Sequence, residues 1–212
     1  MRSLTLVAAL LLAGCTVSGG APNSQAASAA VDQLQQLTVA AERPMTGYSR
    51  DKFPHWRKVP NSECDTRDEI LKRDGTGVKT DRYCRITAGS WHSLYDGRTL
   101  KDPQEVDIDH TVALAAAWRS GAAEWTTEQR TEFANDMTRP QLLAVSRTSN
   151  RAKGDQDPSQ WRPPARDYWC DYARRWIAVK HHWRLTVTER EKTALREMLG
   201  SCREPSRSTS PT

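Results

Sequence analysis

The chain has 212 residues, a formal net charge of +5, 37% hydrophobic and 27% charged residues. These values describe an ordinary soluble protein with one folded domain and a terminal extension, and they argue against a chain that is disordered throughout. The positive excess is modest, so it favours a polyanionic partner over an acidic ligand only weakly.

The chain begins with a segment typical of secreted proteins. Residues 1–14 contain one arginine, an apolar run and small residues at their end, and the run is too short to span a membrane and stay there. Leu12–Cys15 is similar to a lipoprotein processing box, in which the peptide is cut before the cysteine and Cys15 is acylated. An ordinary signal peptide cut elsewhere is the alternative.

The composition also divides the rest of the chain. Residues 15–47 are rich in Ser, Ala, Gly and Gln, so we expect the lipidated Cys15 to be followed by a flexible tether, with room for one short helix. We expect the folded domain over residues 48–203. The polar, proline-containing residues 204–212 are predicted to be disordered.

Four cysteines remain when Cys15 is set aside, namely Cys64, Cys84, Cys170 and Cys202. An even number in an oxidising compartment predicts two disulfides. Three pairings are possible, and proximity in sequence favours Cys64–Cys84 with Cys170–Cys202. A zinc site is the alternative, but none of these cysteines forms the C-x-x-C pair typical of zinc ligands.

The first half of the domain predicts one helix and a hairpin. In CDTRDEILKRDG, Thr66 and Glu69 have the spacing of a capping box and Gly75 ends the apolar stripe, which predicts a helix. The following YCRITAGSWHSLYDG alternates loosely and contains Asp96–Gly97, a turn signal. Strands are therefore predicted at about 82–87 and 91–95.

The central stretch predicts two more strands and three helices. Val106 and Ile108 alternate with Asp107 and Asp109, which predicts a strand with both aspartates on one face. Helices are predicted in TVALAAAWRSG and in TTEQRTEFANDM, which opens with a capping-box spacing, and QLLAVS is typical of a buried strand. Asn150 then lies on a helical turn. Two further amphipathic helices close the domain, and the second has a capping-box spacing at Thr188 and Glu191.

The order of these parts resembles the HNH, or His-Me finger, endonucleases, in which a strand ends in Asp-His or His-His, a second strand follows, and a helix supplies a last His or Asn. Here the matching residues are Asp109, His110, the QLLAVS strand and Asn150. Wider similarity, in CDTRDEIL, DIDHTVALAAAWRSGA, LLAVS and NRAKGDQDPSQWRPP, resembles secreted actinobacterial proteins of this family. The resemblance implies an α+β fold, with a ββα-metal finger embedded in a mostly helical domain that has small antiparallel strands.

The resemblance also implies roles for individual residues. His110 would be the general base that deprotonates water. Asp109 and Asn150 would hold one divalent cation, Mg²⁺ or alternatively Mn²⁺, and no nucleotide cofactor is expected. The family's middle residue, an Asn that pins the loop and orients the imidazole, falls at Gln141; Asn135 is the alternative.

Several basic residues are candidates for contacts with nucleic acid. The resemblance places Arg67 beside the site, where it would clamp a phosphate; an ordinary exposed helix arginine is the alternative. Arg119, Arg151 and Lys153 flank the site and would touch the nucleic-acid backbone. Asp107 and Asp155 would support the metal ligands, or would be solvated turn residues. The eight tryptophans have helical spacing and are predicted to lie in the core rather than to stack on bases.

Together these features predict a monomeric, extracytoplasmic, metal-dependent endonuclease of low sequence specificity. It would act on DNA, with RNA as a second substrate, and would contact the membrane only through its lipid anchor. Two alternatives stay open at this point. One is a lipoprotein of the same fold that binds nucleic acid without cutting it, supported by the change at Gln141. The other is a hydrolase of a different phosphodiester.

Overall fold

The structure is a computed structural model that describes residues 22–202, and over these residues the fold is α+β. The helices are α1 Pro22–Gln36, α2 Thr66–Asp74, α3 Leu114–Arg119, α4 Thr127–Ala134, α5 Arg147–Lys153, α6 Trp169–His182 and α7 Glu189–Leu199. The strands are β1 Gly75–Thr80, β2 Ile86–His92, β3 Thr99–Leu100, β4 Val106–His110 and β5 Leu142–Ser146. The predicted signal peptide, Cys15 and the predicted tail lie outside the described residues.

The segment before the expected domain is packed rather than extended. Within residues 22–47, where a tether was expected, α1 lies against α6 and α7 and buries Ala30 and Leu34, and Leu37 is buried directly after the helix. The chain beyond α1 is also fixed, because Val39 forms a parallel bridge with Val187 and the amide of Arg43 donates to the carbonyl of Arg119 at 2.9 Å. The described part of this segment therefore belongs to the folded domain.

The predicted helix at CDTRDEIL is present as α2, but its cap lies one residue earlier than expected. Asp65 is the N-cap, and it exchanges hydrogen bonds with Asp68 in a capping box. Thr66 instead donates through its hydroxyl to the carbonyl of Arg57 at 3.1 Å and to Asn135 Oδ1 at 2.9 Å. Asp65 caps the helix better than Thr66 would, because its negatively charged carboxylate is also stabilised by the positive N-terminal end of the helix dipole.

The hairpin region forms a three-stranded antiparallel sheet in the order β1-β2-β3. The helix α2 ends at Gly75 as predicted, and Gly75 is also the first residue of β1. The strands are displaced from the predicted 82–87 and 91–95, because the first strand precedes residues 81–85, which form a turn. The predicted Asp96–Gly97 turn is confirmed. It joins β2 to β3, and Gly97 has the positive φ of 71° that favours glycine.

Strands β4 and β5 pair antiparallel, with Asp109 opposite Leu143 and His110 opposite Leu142, and α5 follows β5 directly. Alternate residues of this two-stranded sheet enter two different hydrophobic clusters. Leu143 and Val145 join the larger, mainly helical cluster, whereas Val106, Ile108, Leu142 and Ala144 join a smaller cluster with Trp91, Leu100 and α2. The sheet thus separates two cores, and each of its faces carries a different set of side chains.

The remaining predictions for the scaffold agree with the structure. Capping boxes open α4 at Thr126 and α7 at Thr188. The disulfides are Cys64–Cys84 and Cys170–Cys202, the favoured pairing, so these cysteines are not zinc ligands. All eight tryptophans are buried or partly buried. Among residues 22–202, no helix combines the length and the apolar character that crossing a membrane requires.

Candidate active site

His110 ends β4 with its side chain on the face of the sheet that carries Val106, Ile108 and Leu142. Neighbouring residues of a strand point to opposite faces, so His110 and Asp109 are directed to opposite sides of β4. The alternation in VDIDH predicts that Asp107 and Asp109 share one face of the strand, and the same alternation places the imidazole of His110 on the other face.

The imidazole of His110 is held in one orientation. Its Nε2 lies 2.9 Å from the carbonyl oxygen of Ala134, and since a carbonyl can only accept, Nε2 carries the proton. The ring stacks on Trp56, with 5.5 Å between centroids and 27° between planes. Trp56 has a positive φ of 59°, a backbone conformation that non-glycine residues seldom adopt outside sites where packing imposes it.

Burial sets the charge of this ring. His110 is only 4% exposed, and the loss of hydration lowers its pKa to about 3, although the hydrogen bond to Ala134 opposes that shift. The positive charges of Arg50 and Lys153 and the ring of His55 lower the pKa further. The imidazole is therefore neutral at pH 7, with an unprotonated Nδ1 that can accept a proton.

Gln141 occupies the place expected for the residue that pins the loop after His110. Its side chain is fully buried, its Oε1 accepts from the amide of Val112 at 3.1 Å, and its Nε2 donates to the carbonyl of Val112 at 3.0 Å. The backbone of Gln141 also accepts from the amide of Thr111 at 2.7 Å. A longer amide side chain thus clamps both polar groups of a residue two positions beyond His110.

Asn135, the alternative for this role, pins a different segment. Its Oδ1 accepts from the amide of Arg57 at 3.0 Å and its Nδ2 donates to the carbonyl of Pro54 at 2.8 Å. These bonds fix the stretch that carries His55 and Trp56. Asn135 also follows Ala134, whose carbonyl holds His110, so the two amide residues support the imidazole from two sides.

Asp109 does not present its carboxylate to the site. It is 4% exposed; its Oδ1 accepts from Lys153 Nζ at 2.8 Å and its Oδ2 from the hydroxyl of Tyr95 at 2.5 Å. Burial raises the pKa of Asp109, and the contacts with Lys153 and Tyr95 oppose that rise. Both oxygens are engaged inside the core, which disagrees with the predicted role of Asp109 as a metal ligand.

The same contact corrects the expectation for Lys153. Its side chain is completely buried, and besides Asp109 its ammonium group donates to the carbonyl of His110 at 3.0 Å. A buried ammonium in this position cannot reach a nucleic-acid backbone. Lys153 and Asn150 lie three residues apart on α5, which places both on the helix face turned to β4.

Asn150 is the remaining predicted metal ligand, and its amide pairs with Asp107 rather than Asp109. Its Nδ2 donates to Asp107 Oδ2 at 3.0 Å, and both residues are partly exposed. Because the nitrogen is directed to Asp107, the carbonyl Oδ1 of Asn150 is left for another partner. Asp107 therefore orients Asn150, as the sequence analysis allowed.

The predicted basic contacts divide into three cases. Arg119 pairs with Asp155, with Nη1 to Oδ2 and Nη2 to the backbone oxygen both at 2.6 Å, and the hydrogen bond from Arg119 lowers the pKa of Asp155. Arg67 donates to the carbonyl of Val106 at 3.2 Å, at the opposite end of β4 from His110. Neither guanidinium lies free beside the imidazole. Arg151 is exposed on α5 and fits the predicted surface contact.

A cleft of about 200 Å³ lies beside β4, and some of the residues that line it were not predicted as site residues from the sequence. Asp109, His110 and Asn150 border it together with Tyr48 and Arg50, and Arg50 is exposed. His55 adds a second imidazole, 6.2 Å from that of His110 between ring centroids. The sequence of this segment contains FPHW, in which His55 stands among aromatic residues, but this pattern does not by itself indicate a site.

A divalent cation such as Mg²⁺ prefers oxygen ligands. Among residues 22–202, no three His, Cys, Asp or Glu side chains converge as a metal site. Mg²⁺ usually keeps several waters and binds through one or two protein oxygens together with substrate phosphates. Asn150 Oδ1 fits that mode of binding, whereas Asp109 does not, since Lys153 and Tyr95 occupy its oxygens.

Comparison with known families adds to this geometry. A family model described as the C-terminal domain of GmrSD restriction endonucleases matches residues 65–198, more than half of the chain. The chain belongs to this family. An uncharacterized secreted protein of Arthroderma benhamiae is 53% identical over 181 residues, which cover 85% of this chain and 88% of that protein. No solved structure matches the chain.

The match to the GmrSD C-terminal domain includes the strands β4 and β5, the helix α5, and all of the residues discussed on them. This agrees, at a coarse level, with the nuclease family that the Asp109–His110 and Asn150 pattern resembles. The matched region begins at Asp65 and therefore leaves out Arg50, His55 and Trp56. One wall of the cleft is supplied by a segment that precedes the GmrSD match.

Proposed function

We propose that this chain is an extracytoplasmic endonuclease that hydrolyses phosphodiester bonds of DNA, with RNA as a second substrate and with low sequence specificity. The observation that carries the proposal is the state of His110. Its imidazole is neutral, its Nε2 is fixed on the carbonyl of Ala134, and its Nδ1 makes no hydrogen bond with the described residues. Membership of a restriction-endonuclease domain family supports the same chemistry.

In this mechanism His110 is the general base. Nδ1 takes a proton from a water molecule in the cleft, and the water oxygen attacks the phosphorus while the bond to the leaving oxygen breaks. A pKa near 3 makes a weak base in the free protein. A phosphodiester that enters the cleft adds negative charge, which favours the imidazolium and raises the pKa of His110 towards the useful range.

Two further side chains would position the substrate. Arg50 borders the cleft, and its exposed guanidinium is suited to bind a phosphate through two parallel hydrogen bonds. Asn150 Oδ1, oriented by Asp107, would hold a Mg²⁺ or Mn²⁺ ion. When bound, the ion would stabilise negative charge on the phosphate and the leaving oxygen.

The location outside the cytoplasm has two supports. The chain carries two disulfides, which persist in oxidising compartments, and its relative in Arthroderma benhamiae is a secreted protein.

We propose in addition that Cys15 carries a lipid anchor. Cys15→Ser would then abolish lipid labelling and move the protein out of the membrane fraction; a wild-type protein without lipid would contradict this.

The alternative of binding without cleavage rested on Gln141 in place of the family's Asn. The Gln141 side chain makes both hydrogen bonds with Val112 that a loop-pinning amide would make. The substitution therefore gives no reason to expect a loss of turnover, and catalysis is the function that the site supports best.

A plasmid-nicking assay tests the proposal. We expect wild-type protein to nick supercoiled DNA with Mg²⁺ and to stop in EDTA, and His110→Ala to cut roughly 10² to 10⁴ times more slowly, the contribution of a general base. His182→Ala is the matched control, since His182 is exposed on α6. Wild-type rates for His110→Ala would refute the assignment of the base.

A further inference from the structure

The turn between β1 and β2 presents a group of basic residues to solvent. Arg82, Tyr83 and Arg85 are all exposed, and the 52% exposure of Tyr83 is the highest among the exposed large hydrophobic residues of the described chain. We refer to Arg82, Tyr83 and Arg85 as the ribbon tip. An exposed tyrosine ring offers its faces to neighbouring cations.

The ring of Tyr83 holds both guanidinium groups. Cζ of Arg82 lies 4.6 Å from the centroid of that ring and Cζ of Arg85 lies 5.3 Å from it, distances typical of cation–π contacts. Both positive charges are thus held next to the same ring. Asp81 is the acidic residue of the turn, and Asp81 Oδ2 lies 3.4 Å from Arg85 Nε.

The backbone of the tip is fixed as well. Asp81 Oδ1 accepts from the amides of Tyr83 and Arg85 at 2.8 and 2.9 Å. Cys84 has a positive φ of 62° and is tied by its disulfide to Cys64, just before α2. Little conformational freedom remains to be lost when a ligand binds, which favours affinity.

The tip belongs to the sheet that packs on the His110 side of β4 and β5. Val78 and Ile86, which flank the turn on β1 and β2, pack against the smaller hydrophobic cluster. Trp56, whose ring stacks on His110, packs against the same cluster. The ribbon tip and the imidazole of His110 are therefore connected through the residues that pack on this smaller cluster.

We propose that the ribbon tip binds backbone phosphates of the nucleic-acid substrate outside the catalytic cleft. Arg82 and Arg85 are the phosphate ligands, because a planar guanidinium matches a phosphate in a bidentate manner. Tyr83 is a positioning residue that holds both guanidinium groups next to its ring. Backbone contacts give affinity without sequence preference, and this inference rests on the proposed endonuclease function.

The test measures binding of a DNA duplex by fluorescence anisotropy as a function of salt, using the full chain with His110→Ala and without added Mg²⁺ so that cleavage is minimal. Loss of two phosphate contacts in Arg82→Ala/Arg85→Ala is expected to weaken binding and to reduce the slope of log K against log salt by about 1.8. Tyr83→Ala is expected to weaken binding, and Tyr83→Phe, which keeps the ring, to bind normally. Arg190→Ala on α7 removes an exposed charge elsewhere and is the control.

The outcomes separate the two proposals. If wild-type protein nicks plasmid while Arg82→Ala/Arg85→Ala binds with unchanged affinity and slope, the ribbon tip is not a phosphate site and the endonuclease proposal stands. If Tyr83→Ala matches Tyr83→Phe, the positioning role of Tyr83 is wrong. If wild-type protein neither cuts nor binds the duplex, the proposed function fails and the ribbon-tip proposal fails with it. Unchanged circular dichroism shows that the exposed substitutions leave the fold intact.

Discussion

Lys153 donates a hydrogen bond to the backbone carbonyl of His110 at 3.0 Å, although 43 residues separate the two in sequence. The same ammonium group pairs with Asp109 at 2.8 Å, and Tyr95 closes the other side of that carboxylate. These hydrogen bonds join the helix α5, the strand β4 and the turn that carries Tyr95 at one buried point. The position of the His110 imidazole depends on this internal ion pair as well as on the contact of its ring with Ala134.

Removal of one partner of this pair should be costly. Lys153→Met keeps most of the side-chain volume but leaves the carboxylate of Asp109 buried without its cation, and a broken buried pair typically costs about 3 to 5 kcal/mol. Urea unfolding followed by tryptophan fluorescence measures the loss.

The matched control for this prediction is Arg162→Met, which breaks the partly exposed pair with Glu197. That change should cost below about 1 kcal/mol, because solvent screens an exposed ion pair. A loss for Lys153→Met as small as that for Arg162→Met would show that the Asp109–Lys153 pair does not hold the site together.

Gln141→Leu should affect both stability and turnover. The substitution leaves the amide and carbonyl of Val112 buried without partners, at a cost of roughly 2 to 4 kcal/mol for the two groups. It also releases the loop after His110, so the cleavage rate should fall even where the protein is folded. Unfolding curves and plasmid nicking report the two effects; Gln104→Leu, an exposed glutamine, should change neither.

Acid stability should depend on His110. The pKa of His110 is about 6.5 in the unfolded chain and about 3 in the folded one, so between these values only the unfolded chain binds the proton. The free energy of unfolding should therefore fall as pH falls through this window, by up to about 1.4 kcal/mol per pH unit from this group.

The comparison with His110→Gln isolates that contribution, because other titrating groups are common to both proteins. The variant should lose less stability than the wild type between pH 6.5 and pH 4, as measured by urea unfolding at each pH. Parallel stability curves for the two proteins would mean that His110 is hydrated and protonates normally in the folded state.

The secondary structure around the site was predictable because it is local. The alternation in VDIDH, the apolar LLAVS and the capping signals at Thr126 and Thr188 depend on neighbouring residues, and the structure has those elements. The packing of α1 was not predictable from such signals, since few of its residues are strongly apolar. It is stabilised by contacts with α6 and α7, far away in sequence.

The contacts that the candidate site residues make in the folded protein were harder to predict from the sequence. Asp109 and Lys153 both have residue types suited to a nuclease surface, and only the tertiary structure shows that they neutralise each other inside the core. Trp56 and Arg50 lie in a segment without a recognisable motif, so their position against His110 could not be inferred. Local pattern indicates candidate residues, whereas long-range packing determines what each of them contacts.

The last prediction separates the two aspartates of β4, which the sequence pattern does not distinguish. Asp107→Asn weakens the interaction that orients Asn150, so we expect a higher Mg²⁺ concentration for half-maximal cleavage, by about 10-fold to 100-fold, with little change in stability. Asp109→Asn should instead destabilise the fold, because Lys153 loses its counter-ion, while the Mg²⁺ requirement of the folded fraction stays close to that of the wild type. Nicking assays across a Mg²⁺ series, paired with urea unfolding, measure both quantities for each variant. The reverse pattern, in which Asp109→Asn shifts the Mg²⁺ dependence and Asp107→Asn does not, would return Asp109 to the role of metal ligand and require Lys153 to move away when the ion binds.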